Sequence, residues 1–309
     1  MMITAKNLHK YYKSFHALKG IELNVKQGEI YGFIGHNGAG KSTTMNILTG
    51  LSRPSMGECV VNGKDLRGIK NPGELCIGYL PEEPKFYPWL SARESLEYLG
   101  SAGGRSVTKV RVSQMLEWVG LKGAANRRVG GFSRGMRQRL GIGAALIHDP
   151  SLLFLDEPSS ALDPEGRSDV LSLIKSLKET GKTVFFSSHI LDDVERVCDR
   201  IGMLVQGRLV LEKPLGELLH ENLSPAFDIE LKNADSKLAE GLKELDCVTD
   251  AADEHNKLSV TVSDADAGSK ALLKFFSDKN VPVLSFSLRK NSLEDIFIRE
   301  ANNNDAKHS

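Results

Sequence analysis

The sequence predicts an α/β domain carrying a helical insertion, followed by a small α+β domain. Three observations predict it. Short apolar runs alternate with helical patterns through the first part. The strand signal disappears from about residue 86 to 148 and then returns. The last third reads in the order β-α-β-β-α-β, the ferredoxin-like pattern. At 309 residues the chain has room for about two domains, with cores large enough to need no disulfide or metal.

Segments 3–8 and 20–26 read as strands, and EIYGFIG (29–35) as a buried strand ending in glycine. A helix is expected over 41–50, then strands near 58–62 and 75–80. SARESLEYL, VTKVRVSQMLEWVGL and SRGMRQRLGIGAALI are helical by spacing and form the insertion. LLFLDE (152–157) and TVFFSS (183–188) return as strands, with a helix over 165–179 between them. Residues 201–212 read as a hairpin turning at Gln206-Gly207. Pro214 through Pro225 is read as a hinge and linker. After it come AFDIELK, a helix over 235–245, CVTDA, KLSVTVS, a helix over 265–279 and VPVLSFSLR. A short helix SLEDIFIREA follows, and the tail 302–309 is expected to be disordered. The boundaries so drawn are 1–217 and 218–301.

Composition narrows the function. Lys+Arg and Asp+Glu both number 40, so no basic excess points to nucleic acid. No run approaches about 18 apolar residues, and the N-terminal segment lacks a signal-peptide pattern, so a cytosolic chain is expected. Cys59, Cys76, Cys198 and Cys247 are scattered and pair in no metal-binding spacing; they read as reduced cysteines.

Two motifs carry the chemistry. Gly35-His36-Asn37-Gly38-Ala39-Gly40-Lys41-Ser42 fits G-x-x-x-x-G-K-[ST] between a predicted strand and a predicted helix. Glycines let backbone N–H groups turn inward around phosphates, and the helix presents its positive end. Lys41 supplies a mobile charge for β- and γ-phosphates, Ser42 offers a hydroxyl to Mg²⁺, and Thr43 can add a phosphate hydrogen bond. The second motif, LLFLDEP, ends an apolar strand in two acids. Asp156 suits Mg²⁺, and Glu157 is placed to orient and deprotonate a water. The competing readings are a surface glycine turn and a strand end capped by solvated acids.

With these motifs the chain, over about residues 2–217, resembles an ATP-binding cassette (ABC) nucleotide-binding domain, a P-loop NTPase cassette built on a mixed sheet. Phe132-Ser133-Arg134-Gly135-Met136 stands where that family carries its LSGGQ signature. The resemblance implies that Ser133 and Gly135, at a helix start, grip the γ-phosphate held by a second cassette subunit. Tyr12 resembles the aromatic residue that stacks on adenine, with Tyr11 as its rival. Ser160-Ala161-Leu162-Asp163 resembles the D-loop, and Asp163 also reads as an N-cap. His189 resembles the switch histidine that contacts the γ-phosphate. The family's usual glutamine after the strand IGYLP is here Glu82, which can still reach Mg²⁺ but adds negative charge beside ATP. Arg134 and Met136 depart from the signature.

The aromatic segment Pro84–Leu90 sits where the family receives a helix of its membrane-spanning permease subunit; a small satellite core is the alternative. The ending SLEDIFI resembles that of transporter subunits with an extra C-terminal domain. The resemblance thus implies an ATP- and Mg²⁺-dependent ATPase, peripheral on the inner face of the membrane through its permease. A soluble cassette acting on ribosomes or DNA, a P-loop small-molecule kinase and a binding-only module are the other readings.

Overall fold

The computed structural model describes residues 1–102, 105–221, 223–232, 236–254, 257–290, 293, 294, 296 and 297. The chain divides into two compact units, the first over Met1–Gly216 and the second over Glu217–Ile298.

The first unit opens with β1 (Ile3–Tyr12), β2 (Phe15–Val25), β3 (Ile30–Ile34), helix α1 (Lys41–Leu48), β4 (Met56–Val61), β5 (Lys64–Asp65) and β6 (Gly78–Leu80). The insertion supplies α2 (Ala92–Ser101), α3 (Lys109–Trp118) and α4 (Arg134–Leu146). Then come β7 (Leu152–Asp156), α5 (Pro164–Glu179), β8 (Thr183–Ser188), α6 (Leu191–Val197), β9 (Arg200–Val205) and β10 (Arg208–Pro214), and the division at Gly216 falls within α7 (Leu215–Glu221).

Two sheets share this unit. One is antiparallel, in the order β2-β1-β4-β5; the other runs β10-β9-β3-β8-β7-β6. Within the second, β9, β3, β8, β7 and β6 are parallel and only the β10 edge is antiparallel, so the sheet is mixed. The sequence explains the centre. IYGFI, LLFLD and TVFFSS are buried at every residue, as strands covered on both faces require. Rings of Tyr31, Phe33 and Phe154 pack around Phe185 with centroids 5.2–5.5 Å away. Register then does the placing. Ile34 pairs with Ser188 and Asp156 with Ser187, so the loops leaving β3, β7 and β8 emerge side by side. Ligands of open parallel sheets bind outside such carboxyl ends.

The insertion helices start on capping side chains. Ser91 Oγ accepts from Glu94 N–H at 3.2 Å while Glu94 Oε2 accepts from Ser91 N–H at 2.8 Å, a closed capping box. Thr108 caps α3.

In the second unit, β11 (Leu223–Leu231), α8 (Ser236–Lys243), β12 (Val248–Glu254), β13 (Lys257–Val262), α9 (Ala265–Asp278) and β14 (Val283–Lys290) follow the expected order. The sheet is antiparallel, β12-β13-β11-β14, and its own core gathers Phe227, Ile229, Leu258, Val260, Leu272 and Phe276. Leu293, Ile296 and Phe297 are buried, whereas Ser292, Asp295, Ile298 and the tail 302–309 lie outside the described residues.

Three expectations need correction. The hinge read from Pro214 to Pro225 holds the helix α7, because LGELLHE is a good helical run once Pro214 has ended β10. The strand expected over 75–80 is only Gly78–Leu80, since Pro72 and Gly73 start a 3-10 turn and Cys76 takes φ 51°. The first two strands run further than read, to Tyr12 and from Phe15, joined by a tight hairpin.

Candidate functional site

The phosphate-type loop leaves β3 and closes on α1. Gly38 and Gly40 adopt φ +81° and +112°, a conformation that side chains resist. Gly35 is demanded by space: a Cβ there would lie 2.5 Å from the Leu204 carbonyl oxygen. His36, Asn37, Gly38 and Ser42 are exposed, Ala39 is buried, and Gly40 and Thr43 are half-buried. Lys41, buried at the helix start, donates from Nζ to the Gly35 carbonyl at 2.7 Å and leans on that of His36 at 3.4 Å. The β9–β10 turn braces the loop from outside. Gln206 and Gly207 both take positive φ, as such a two-residue hairpin needs, and Gly207 N–H donates to Ala39 O at 2.9 Å.

The two acids end β7. Asp156 is buried and accepts from Ser187 Oγ at 2.6 Å. Burial pushes its carboxyl up from the ordinary value; Glu157 and Glu82 add to that, while the Ser187 bond and Lys41 oppose it. Glu157 sits at φ 47°, and its N–H donates to the Ser187 carbonyl at 3.2 Å and to Ser187 Oγ at 3.0 Å. Its carboxylate spans the site. Oε1 lies 3.2 Å from Lys41 Nζ, and Oε2 lies 2.7 Å from His189 Nδ1. Lys41, Glu157 and His189 therefore converge from three separate segments, with Asp156 held alongside through Ser187.

The other expected residues occupy other ground. Glu82 is exposed on the turn after β6 and shares a cavity of about 190 Å³ with Arg134, Arg137 and Gln138. Ser133 caps α4, accepting from Met136 N–H at 3.2 Å, and Gly135 faces Gly166 of α5. Asp163 caps α5 through Gly166 N–H at 3.3 Å. Tyr12 is exposed at the end of β1, with the Lys10 ammonium 5.1 Å from its ring centre. Tyr11 has a ring face covered by His16, with centroids 4.0 Å apart. Tyr87 and Trp89 are exposed, and Tyr87 touches both Trp89 and Tyr98, with centroids 5.0 and 5.4 Å apart. They form a surface patch, while Phe86 and Leu90 of the same segment are half-buried.

What the geometry can do is bounded by its charge. A buried lysine at the start of a helix suits phosphates. Among the described residues no three His, Cys, Asp or Glu side chains converge as a ready metal cage. Hydroxyl and carboxylate oxygens such as those of Ser42 and Asp156 fit Mg²⁺, which commonly takes one or two carboxylates and completes its shell with substrate phosphates and water.

Comparison with known proteins decides the family. The family model described as ABC transporter matches residues 18–160, and that of the ATP-binding protein DrrA1-3-like C-terminal domain matches residues 215–301. An uncharacterized ABC transporter ATP-binding protein of Bacillus subtilis is 37% identical, over 96% of this chain and 99% of the relative. The chain belongs to the family of ABC transporter ATP-binding proteins. The bacitracin transport ATP-binding protein of Bacillus licheniformis, 38% identical over 96% of both chains, is a further member. The cassette fold itself is matched by the dimeric post-hydrolysis structure of the ATP-binding cassette MJ0796 bound to ADP and Pi. That match has a TM-score of 0.63 and 30% identity over 69% of this chain and 99% of the other.

Within this ABC family member, sequence reasoning missed Ser187. It is buried at 0% exposure in the middle of the site, where its one hydroxyl ties Asp156 to the Glu157 backbone. A serine ending an apolar strand beside the strand of the two acids was the available signal. No described helix is long and apolar enough to cross a membrane.

Proposed function

We propose that this chain hydrolyses ATP to ADP and phosphate as one of two cassette subunits that drive a separate membrane-spanning permease subunit. The observation that carries the reading is the Glu157 carboxylate, which touches both Lys41 and His189. Glu157 acts as general base, orienting a water and taking its proton as the oxygen attacks the γ-phosphorus. Lys41 leaves Glu157 for the β- and γ-phosphates and stabilises the charge that builds there. His189 offers the γ-phosphate one ring hydrogen bond. Ser42 and Asp156, with Glu82 as a further carboxylate, would hold Mg²⁺, which would neutralise phosphate charge. Tyr12 stacks on the adenine, and the loop from Gly35 to Thr43 wraps the phosphates.

Ser133 and Gly135 serve the other subunit's nucleotide, so that two ATP molecules are held between two cassettes and closure pulls on the permease. In this reading residues 1–217 are the cassette and 218–301 an accessory domain. The exposed Tyr87–Trp89 patch receives the permease, which also fixes the chain to the inner face of the membrane. The dimeric arrangement of the ADP- and Pi-bound relative supports the sandwich.

Glu157→Gln tests this. It keeps the side chain's size but removes its basicity, so phosphate release should fall by about 10²–10⁴-fold. ATP binding should persist, and the uncleaved nucleotide should hold a dimer by mass action, seen by size-exclusion chromatography with MgATP. Turnover at the parent rate would reject the assignment of the base.

A further inference from the structure

The Glu157–His189 contact is one rung of a two-rung clasp, and the second rung is a carboxylate that no motif in the sequence announced. Asp193 lies in α6, four residues beyond His189, and its side chain is fully buried. Its Oδ2 accepts from Ser159 Oγ at 2.5 Å and its Oδ1 accepts from Arg167 Nε at 2.5 Å. Ser159 follows Glu157 by two residues and is itself 1% exposed. Arg167 stands in the first turns of α5, just past the turn 160–163. One buried charge therefore joins the strand end that carries Glu157, the helix that follows the 160–163 turn, and the helix that follows His189.

We propose that Asp193 is a positioning residue: it locks His189 against Glu157 and passes any movement of the 160–163 turn to that pair. It touches neither water nor nucleotide in this role. A carboxylate held by two short bonds in a buried site tolerates little displacement, because each partner lost leaves a buried polar group unpaired. The alternative path between α5 and His189 would run through Asp192, but that residue is exposed and 4.0 Å from Arg167 Nη2. Asp193 thus sets the distance between base and switch residue. The inference rests on the ATPase reading for its consequence, though not for its geometry.

The test uses the full-length protein and Ser159→Ala, which removes the Ser159–Asp193 bond and leaves the Asp193–Arg167 ion pair to preserve folding; Asp193→Asn is the second variant and Ser172→Ala, on the exposed face of α5, the control. The ring resonance of His189 in ¹H–¹³C spectra at fixed pH should move in Ser159→Ala and Asp193→Asn and stay in the control. Turnover should fall between about 3-fold and 100-fold with the KM for ATP within about 2-fold, as expected of misplacement rather than lost binding. In a His189→Ala background, Ser159→Ala should lower turnover no further, because the two act through one contact. An unmoved His189 resonance, or fully additive losses, would overturn the proposal. If the parent protein binds ATP but releases no phosphate, the ATPase reading falls, and the His189 resonance alone decides the clasp.

Discussion

Glu157 and Lys41 form a buried ion pair, Oε1 to Nζ at 3.2 Å, with side chains 8% and 7% exposed. Each neutralises the other in a site where an unpaired charge would be costly. Lys41→Ala removes the mobile charge meant for the phosphates and also strands the Glu157 carboxylate. ATP affinity should fall at least tenfold, which corresponds to about 1.4 kcal/mol. Direct binding by calorimetry checks this, and an unchanged Kd would remove the loop from the nucleotide site.

Gly35→Ala should damage the loop more than Gly38→Ala. The added methyl at Gly35 meets a backbone oxygen at 2.5 Å, whereas none lies within 4 Å at Gly38. Overpacking of this kind costs about 1–3 kcal/mol. At Gly38 only the positive φ resists, at about 1–2 kcal/mol. Thermal melts should rank Gly35→Ala lower, and ATP binding should follow the same order.

Asp156 has a folded-state carboxyl raised chiefly by burial, so its charged form is a liability in the metal-free protein. A raised acid is bound to its proton more tightly when folded, so folding is favoured below its unfolded value and loses that help as pH rises through the folded one. Asp156→Asn keeps an acceptor for Ser187 and should therefore raise the melting temperature at pH 7 without Mg²⁺. The gain should shrink as pH drops toward the ordinary carboxylate range. Magnesium should then stabilise the parent protein with ATP and leave the variant nearly unchanged.

Three of the four free cysteines should react in two classes. Burial pushes the Cys59 thiol up to about 12 and raises that of Cys198 well above its ordinary value, while Cys76 is exposed. A thiol reagent at pH 8 should label Cys76 in the native protein and reach Cys59 and Cys198 only after unfolding. Rapid native labelling of Cys59 would contradict the packing of the antiparallel sheet.

A fragment of residues 1–216 should fold and bind ATP, because that unit contains both sheets and every residue of the phosphate site. Circular dichroism melts and nucleotide titration report on it. Loss of cooperative unfolding would show that the second unit completes the first core.

How legible this protein was in its sequence depended on how local each determinant is. The Gly35–Ser42 loop could be read because glycine spacing, a buried strand and a helix start all lie within one short segment. The last β-α-β-β-α-β unit could be read because its alternation is regular and its helices carry apolar stripes. Asp193 could not. An aspartate near a helix start is ordinarily a solvated first-turn residue, and nothing local says that Ser159 and Arg167 close over it. The separation of β1, β2, β4 and β5 into their own sheet was equally hidden, since pairing between strands distant in sequence leaves no periodic mark on either. The α7 helix was masked by the two prolines around it.

Glu157 holds φ at 47°, where most side chains cost a protein about 1–2 kcal/mol and glycine or asparagine little. Backbone strain alone would favour a different residue there. Losing the acid alone would strand the buried Lys41 charge, so drift toward a more stable molecule has to change both residues at once. Stability selection run without a functional screen should therefore replace Glu157 and Lys41 together, so the most heat-resistant descendants of this chain would be the ones that have stopped working.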